Sequence, residues 1–125
     1  LYSSAASDVY KRQEKVLYTK NERTIYDEYD RGYVLNWLVM KSNEFEMEPL
    51  ILSLKPGASY KHFDPSESDT FIYCLKGCVT LTLGNSRYQA NEQDVLYFRA
   101  NEIHQLHNET TDEIEILIVA TASYL

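Results

Sequence analysis

The 125-residue sequence predicts an all-β fold, a small sandwich or barrel. Period-two alternation of apolar and polar residues recurs from Lys15 onward, while helical periodicity is scarce. The apolar runs are short and rich in β-branched and aromatic residues, as half-buried strands require. Turn residues separate them at short intervals, the pattern of many short antiparallel strands rather than of strands alternating with helices.

In chain order, Val16–Tyr18 and Thr24–Tyr26 read as short strands, and Tyr33–Met40 and Pro49–Leu54 as longer ones. Pro56-Gly57 closes the last of these. After a polar loop, Thr70–Leu75 turns at Lys76-Gly77 into Val79–Leu83, where Val79, Leu81 and Leu83 share one face and Thr80 and Thr82 the other. Gly84-Asn85 is a hairpin signal because both residue types tolerate positive φ. Arg87–Gln89 returns, Asn91-Glu92 turns, and Val95–Phe98 follows. Glu102–His107 leads into the turn Asn108–Asp112, and Glu113–Thr121 is the final strand. No internal repeat or Pro-rich linker divides the chain.

Composition narrows the function classes. There are 19 acidic and 12 basic side chains, net −7, which disfavours a nucleic-acid groove or an anionic membrane as a direct partner. No apolar run approaches the roughly 18 residues of a membrane span. Cys74 and Cys78 read as small hydrophobes flanking a hairpin turn, since a zinc site would need a second half-site. With no apolar leader at the start, the expected location is the cytoplasm.

Ser3–Gln13 is small and polar, and resembles the translation of a transposon sequencing adapter. The domain division expected is therefore 1–13 as a non-native tail and 14–125 as the folded unit, with the true N-terminal part missing. Without Asp8, Lys11 and Arg12 of that stretch the balance becomes −8.

Residues 56–108 resemble the cupin family, over a likeness that extends from about Lys15 to Ser123. Pro56-Gly57 opens the first family motif and Phe71–Gly77 closes it. The second runs through Asp94–Phe98, Ile103-His104 and Asn108, with Gln93, Arg99 and Asn101 where the family usually has Gly, Pro and Gly. The resemblance implies a cupin double-stranded β-helix, a jelly-roll-like barrel. Met47-Glu48-Pro49-Leu50, before a strand ending in Pro56-Gly57, is similar to the sensor half of XRE-family regulators, which carry a helix-turn-helix DNA-binding domain before a C-terminal cupin.

Catalytic cupins hold a transition metal with three His and one Glu, a set suited to such ions. Carried over, those positions fall near Asp64, near Ser66, at Thr70 and at His104. Only His104 is retained; if an ion binds, His62, Asp64 and His104 are the candidate ligands. No catalytic residue is assigned, because neither a nucleophile elbow nor a Ser-His-Asp grouping is present. Gly57, Gly77 and Gly84 are isolated turn glycines, and the pairs Asp27-Glu28 and Asp112-Glu113 sit at expected turns. The expected pocket lining is Tyr60, His62, Phe71, Tyr73, Phe98, His104 and Leu106, with Trp37 able to complete the wall.

The expectation is a non-enzymatic, small-molecule-sensing cupin domain of a bacterial transcriptional regulator, a homodimer that meets DNA only through a missing N-terminal domain. No cofactor is expected, a divalent transition metal being the exception considered. A stand-alone metal-dependent isomerase or dioxygenase is the alternative, and a non-catalytic small-ligand-binding cupin is the third.

Overall fold

The computed structural model describes residues 15–122 and 124–125. Nine strands form in chain order: β1 (Thr24–Glu28), β2 (Tyr33–Trp37), β3 (Met47–Leu54), β4 (Asp69–Lys76), β5 (Cys78–Leu83), β6 (Ser86–Asn91), β7 (Val95–Arg99), β8 (His104–His107) and β9 (Ile114–Thr121). The only helical elements among the described residues are three short 3-10 turns. Strand order is β1-β2-β3-β9-β4-β7 in a six-stranded sheet and β6-β5-β8 in a three-stranded one, with antiparallel pairing throughout.

The long central strands alternate strictly between buried and half-buried residues, which places the core. Leu50, Leu52 and Leu54 of β3 pair with Ile118, Ile116 and Ile114 of β9, and Ile72 and Cys74 of β4 pair with Ile118 and Ile116. All eight are buried, and each such aliphatic side chain contributes about 1.5–3 kcal/mol by leaving water. Val79, Leu81 and Leu106 meet them from the smaller sheet. A slip of one residue in β9 would turn its isoleucines outward, so the pairing register is firmly set.

The loop between β3 and β4 closes the barrel by running beside β8. Tyr60 N–H donates to the Leu106 carbonyl (2.9 Å), and Phe63 and His104 exchange backbone hydrogen bonds of 2.9 and 3.1 Å. Two local features hold the ends of this arrangement. Gly77 has φ 86°, and a Cβ there would lie 2.5 Å from Ile114 Cγ2, so the tight β4–β5 turn admits glycine alone. Asn108 is buried, its amide donating to the carbonyls of Leu54, Lys55 and Asp112 while its Oδ1 accepts from Thr110 N–H and O–H.

Two sequence expectations change. Val16–Tyr18 forms no strand; Val16 is 83% exposed and Leu17 74%, because no strand among the described residues covers their apolar faces. The strand expected over Tyr33–Met40 ends at Trp37, before the chain turns through Ser42–Glu44. The adapter-like stretch, residues 1–13, lies outside the described residues. No helix among the described residues is long and apolar enough to cross a membrane.

Candidate functional site at the barrel mouth

One end of the barrel carries a row of inward side chains set by strand register. Glu48 of β3 and Thr70 of β4 both pair with Ala120 of β9, and Thr70 also pairs with Phe98 of β7. Facing this row from β8 is His104, 2% exposed. Its imidazole stacks on Phe63 (ring centroids 4.8 Å, interplanar 21°) and meets Phe98 edge-on at 5.3 Å.

Tyr124, beyond the last strand, crosses the mouth. Its hydroxyl lies 2.5 Å from Thr70 Oγ1 and 3.4 Å from His104 Nε2, while His104 Nδ1 lies 3.3 Å from the Glu102 carbonyl. One proton assignment satisfies every group: Thr70 donates to Tyr124, Tyr124 donates to Nε2, and Nδ1–H donates to Glu102. This is a neutral imidazole. Burial holds His104 below its ordinary pKa, the Glu102 hydrogen bond opposes that shift, and the nearby His62 adds to it. Burial likewise raises the Tyr124 phenol, with the Thr70 hydrogen bond opposing. Burial raises Tyr60 to about 12, and Tyr33 adds to that shift.

Leu125 lies next to this network, its carbonyl accepting from Lys61 Nζ at 2.8 Å. Leu125 also lines a cavity of about 310 Å³, together with Thr24, Tyr26, Trp37, Val39, Lys41, Ser42, Asn43 and Glu48. Glu48 is 5% exposed and its Oε2 has no hydrogen-bond partner among the described residues.

Of the residues singled out in the sequence, Tyr60, His104 and Leu106 are buried, and the half-buried Phe98 packs against the core. Trp37 lines the cavity. Phe71 and Tyr73 face the other way: Thr70, Ile72 and Cys74 occupy the inner face of β4, so the intervening aromatics lie on its outer face. His62 and Asp64 are exposed, because the Phe63–His104 bridge fixes Phe63 inward and its two neighbours outward. His62, Asp64 and His104 are therefore not gathered, and no group of three His, Cys, Asp or Glu side chains able to hold a metal exists among the described residues. With Thr70 at the carboxylate position and Nε2 engaged by Tyr124, the donor set does not fit the metal of catalytic cupins. Glu48 and Tyr124 are not among the site residues expected from the sequence, Glu48 entering there only within Met47-Glu48-Pro49-Leu50. An acidic residue in phase with Leu50, Leu52 and Leu54 is the signal that marks Glu48; Tyr124 lies beyond any periodic segment and leaves none.

Comparison with known families bears on the barrel itself. The family model described as "Cupin domain" matches residues 50–120, more than half of the chain. The chain belongs to the cupin family. No curated protein matches it by sequence. Among solved structures, this cupin resembles the cupin domain of an XRE family transcriptional regulator from Enterobacter cloacae at 13% identity and TM-score 0.66, covering 74% of this chain and 99% of that one. An HTH_3 family transcriptional regulator from Vibrio cholerae matches at 13% identity and TM-score 0.67, covering 98% of this chain and 65% of that one. A cupin-superfamily sugar phosphate isomerase from Silicibacter pomeroyi matches at 21% identity and TM-score 0.63, covering 81% of this chain and 69% of that one. At these identities the likeness is one of fold.

Proposed function

We propose that this cupin is the small-molecule-sensing domain of a cytoplasmic bacterial transcriptional regulator, non-enzymatic and homodimeric, whose DNA contacts are made by a helix-turn-helix domain elsewhere in the full-length protein. The observation that carries this reading is the occupation of the family's catalytic position. His104 is sealed into a hydrogen-bonded chain with Tyr124 and Thr70 and stacked on Phe63, while an open cavity with a buried carboxylate lies beside it. Such a mouth is built to bind rather than to turn over a substrate. The regulators from Enterobacter cloacae and Vibrio cholerae among the structural relatives support the same reading.

Residues 124–125 supply a physical route for signalling. Leu125 lines the cavity and its chain neighbour Tyr124 contacts His104, so a ligand seated against Leu125 acts one residue from the contact across the mouth. Coupling to attached DNA-binding domains then requires that the ligand favour one placement of this segment over another.

The test begins with the reading frame upstream of the Glu14 codon, where a helix-turn-helix supports the proposal and a start codon overturns it. Calorimetric titration of the full-length protein with a metabolite panel, with and without operator DNA, follows. Ligand-dependent DNA affinity is the expected result; substrate turnover in a protein that does not bind DNA overturns the regulator reading.

A further inference from the structure

We infer that the cavity beside Leu125 is an organic-cation site, selecting a small ligand that carries an ammonium group, with Glu48 as its counter-ion. The inference rests on the sensor reading and names the class of effector. Its strongest support is Glu48 itself. The residue lines the cavity, is 5% exposed, and leaves Oε2 without a partner among the described residues. Buried carboxylates are ordinarily hydrogen-bonded or paired, because an isolated one costs several kcal/mol or more in lost hydration. A buried carboxylate oxygen that lacks a partner, on a residue that lines a cavity, is a half-built ion pair.

The rest of the lining matches the same ligand. Trp37 and Tyr26 line the cavity, and the negative faces of aromatic rings attract organic cations, tryptophan most strongly. Thr24 and the buried Ser42 add hydroxyl acceptors for N–H groups. The volume, about 310 Å³, lies at the low end of the roughly 300–1,000 Å³ typical of ligand pockets, which suits a short-chain compound. A net charge of −7 further raises the local concentration of cations. Lys41 also lines the cavity, but it does not satisfy Glu48 Oε2. Its ammonium is a competitor for a bound cation rather than a substitute for one.

Trp37 is the chain's single tryptophan, so its emission reports this cavity alone. The experiment titrates the 125-residue chain with n-butylammonium and tetramethylammonium, against n-butanol and butyrate at matched ionic strength. A saturable shift of Trp37 emission with the two cations, and a response at least roughly tenfold weaker for the alcohol and carboxylate, is expected. Glu48→Gln, which keeps shape and removes charge, is expected to weaken cation binding by a further factor of about ten, and Lys41→Ala to leave it equal or tighter. Equal binding of the alcohol, preference for butyrate, an unchanged Glu48→Gln affinity or no saturable response would each overturn the inference. The comparison between ligands uses the unmodified chain, so it stands even if the variants fold poorly. A neutral or anionic compound that shifts Trp37 removes the cation assignment while leaving an effector cavity in place. The sensor reading falls to the separate results named for it above, not to the outcome of this titration.

Discussion

The hydroxyl of Tyr124 lies 3.4 Å from Nε2 of His104, and this contact joins the last described residues of the chain to the imidazole at the heart of the barrel mouth. Tyr124 also packs edge-on against Phe63 at 5.2 Å and bonds Thr70, a threonine only 1% exposed. Tyr124→Phe keeps the ring and removes the hydroxyl, leaving Thr70 Oγ1 and His104 Nε2 buried without that partner. The expected loss is about 1–2 kcal/mol, read as a lower midpoint of urea unfolding with an unchanged slope. A variant as stable as the parent would mean that the phenol contributes no net hydrogen bond.

His104 makes the fold less stable as pH falls. Its imidazole is held below its ordinary value of 6.5 in the fold, chiefly by burial, whereas the unfolded chain restores that ordinary value. Between 6.5 and the lower folded value, the unfolded state binds more protons than the folded state. The contribution of neutral His104 is thus complete above 6.5, declines as pH falls below it, and stops declining once the folded imidazole itself protonates. Melting temperature is expected to fall between about pH 7 and pH 5. In His104→Gln that slope should flatten; an identical slope in parent and variant would place the effect on other groups.

Asn108 is the polar staple of the fold. Three backbone carbonyls, from Leu54, Lys55 and Asp112, converge on its amide, and Thr110 closes on its Oδ1. Asn108→Ala leaves these groups unsatisfied at a site 1% exposed, and about 3 kcal/mol of stability should be lost. Asn108→Asp should be worse at neutral pH than at mildly acidic pH, because an ionised carboxylate would face carbonyl oxygens. Denaturant melts at two pH values distinguish the two variants.

Much of this architecture is legible in the sequence, because Leu50, Leu52 and Leu54 against Ile114, Ile116 and Ile118 leave one choice of inner face. The inner face of β4 is not legible in the same way. Thr70-Phe71-Ile72-Tyr73-Cys74-Leu75 is apolar on both faces, so alternation cannot choose between them, and large aromatics invite the wrong choice. The Phe63–His104 bridge, a contact 41 positions apart in sequence, decides which of His62, Phe63 and Asp64 enters the barrel. Local pattern holds no information about such a pairing. Val16–Tyr18 fails for the reverse reason: its pattern suits a strand, but no partner strand is beside it among the described residues.

The outer face of the six-stranded sheet bears on the proposed dimer. Phe71 and Tyr73 of β4 lie beside Val119 and Leu117 of β9 and beside Tyr97 and Val95 of β7, where Tyr97 is 67% exposed and Val95 51%. A contiguous apolar face of this kind suits self-association more than solvent. Tyr97→Lys is expected to convert a dimer to a monomer in light scattering while leaving the melting temperature of the dilute protein within a few degrees. A parent that is monomeric at high concentration would remove the dimer from the proposal.

Gln93 occupies a position where the cupin pattern usually has glycine, and it adopts φ 72°. Its N–H donates to the Cys74 carbonyl at 2.8 Å, so the tight turn before β7 holds a side-chain-bearing residue in the left-handed region. For an L-residue other than glycine that conformation costs about 1–2 kcal/mol, whereas glycine adopts it freely and instead loses more chain entropy on folding. The first effect exceeds the second at a position that requires positive φ. Gln93→Gly is therefore expected to stabilise the barrel by about 0.5–1 kcal/mol, and Gln93→Val to destabilise it, since β-branching is least compatible with this region. Thermal unfolding of the pair gives opposite shifts if the backbone strain is real, and shifts of the same sign would assign the effect to the side chain.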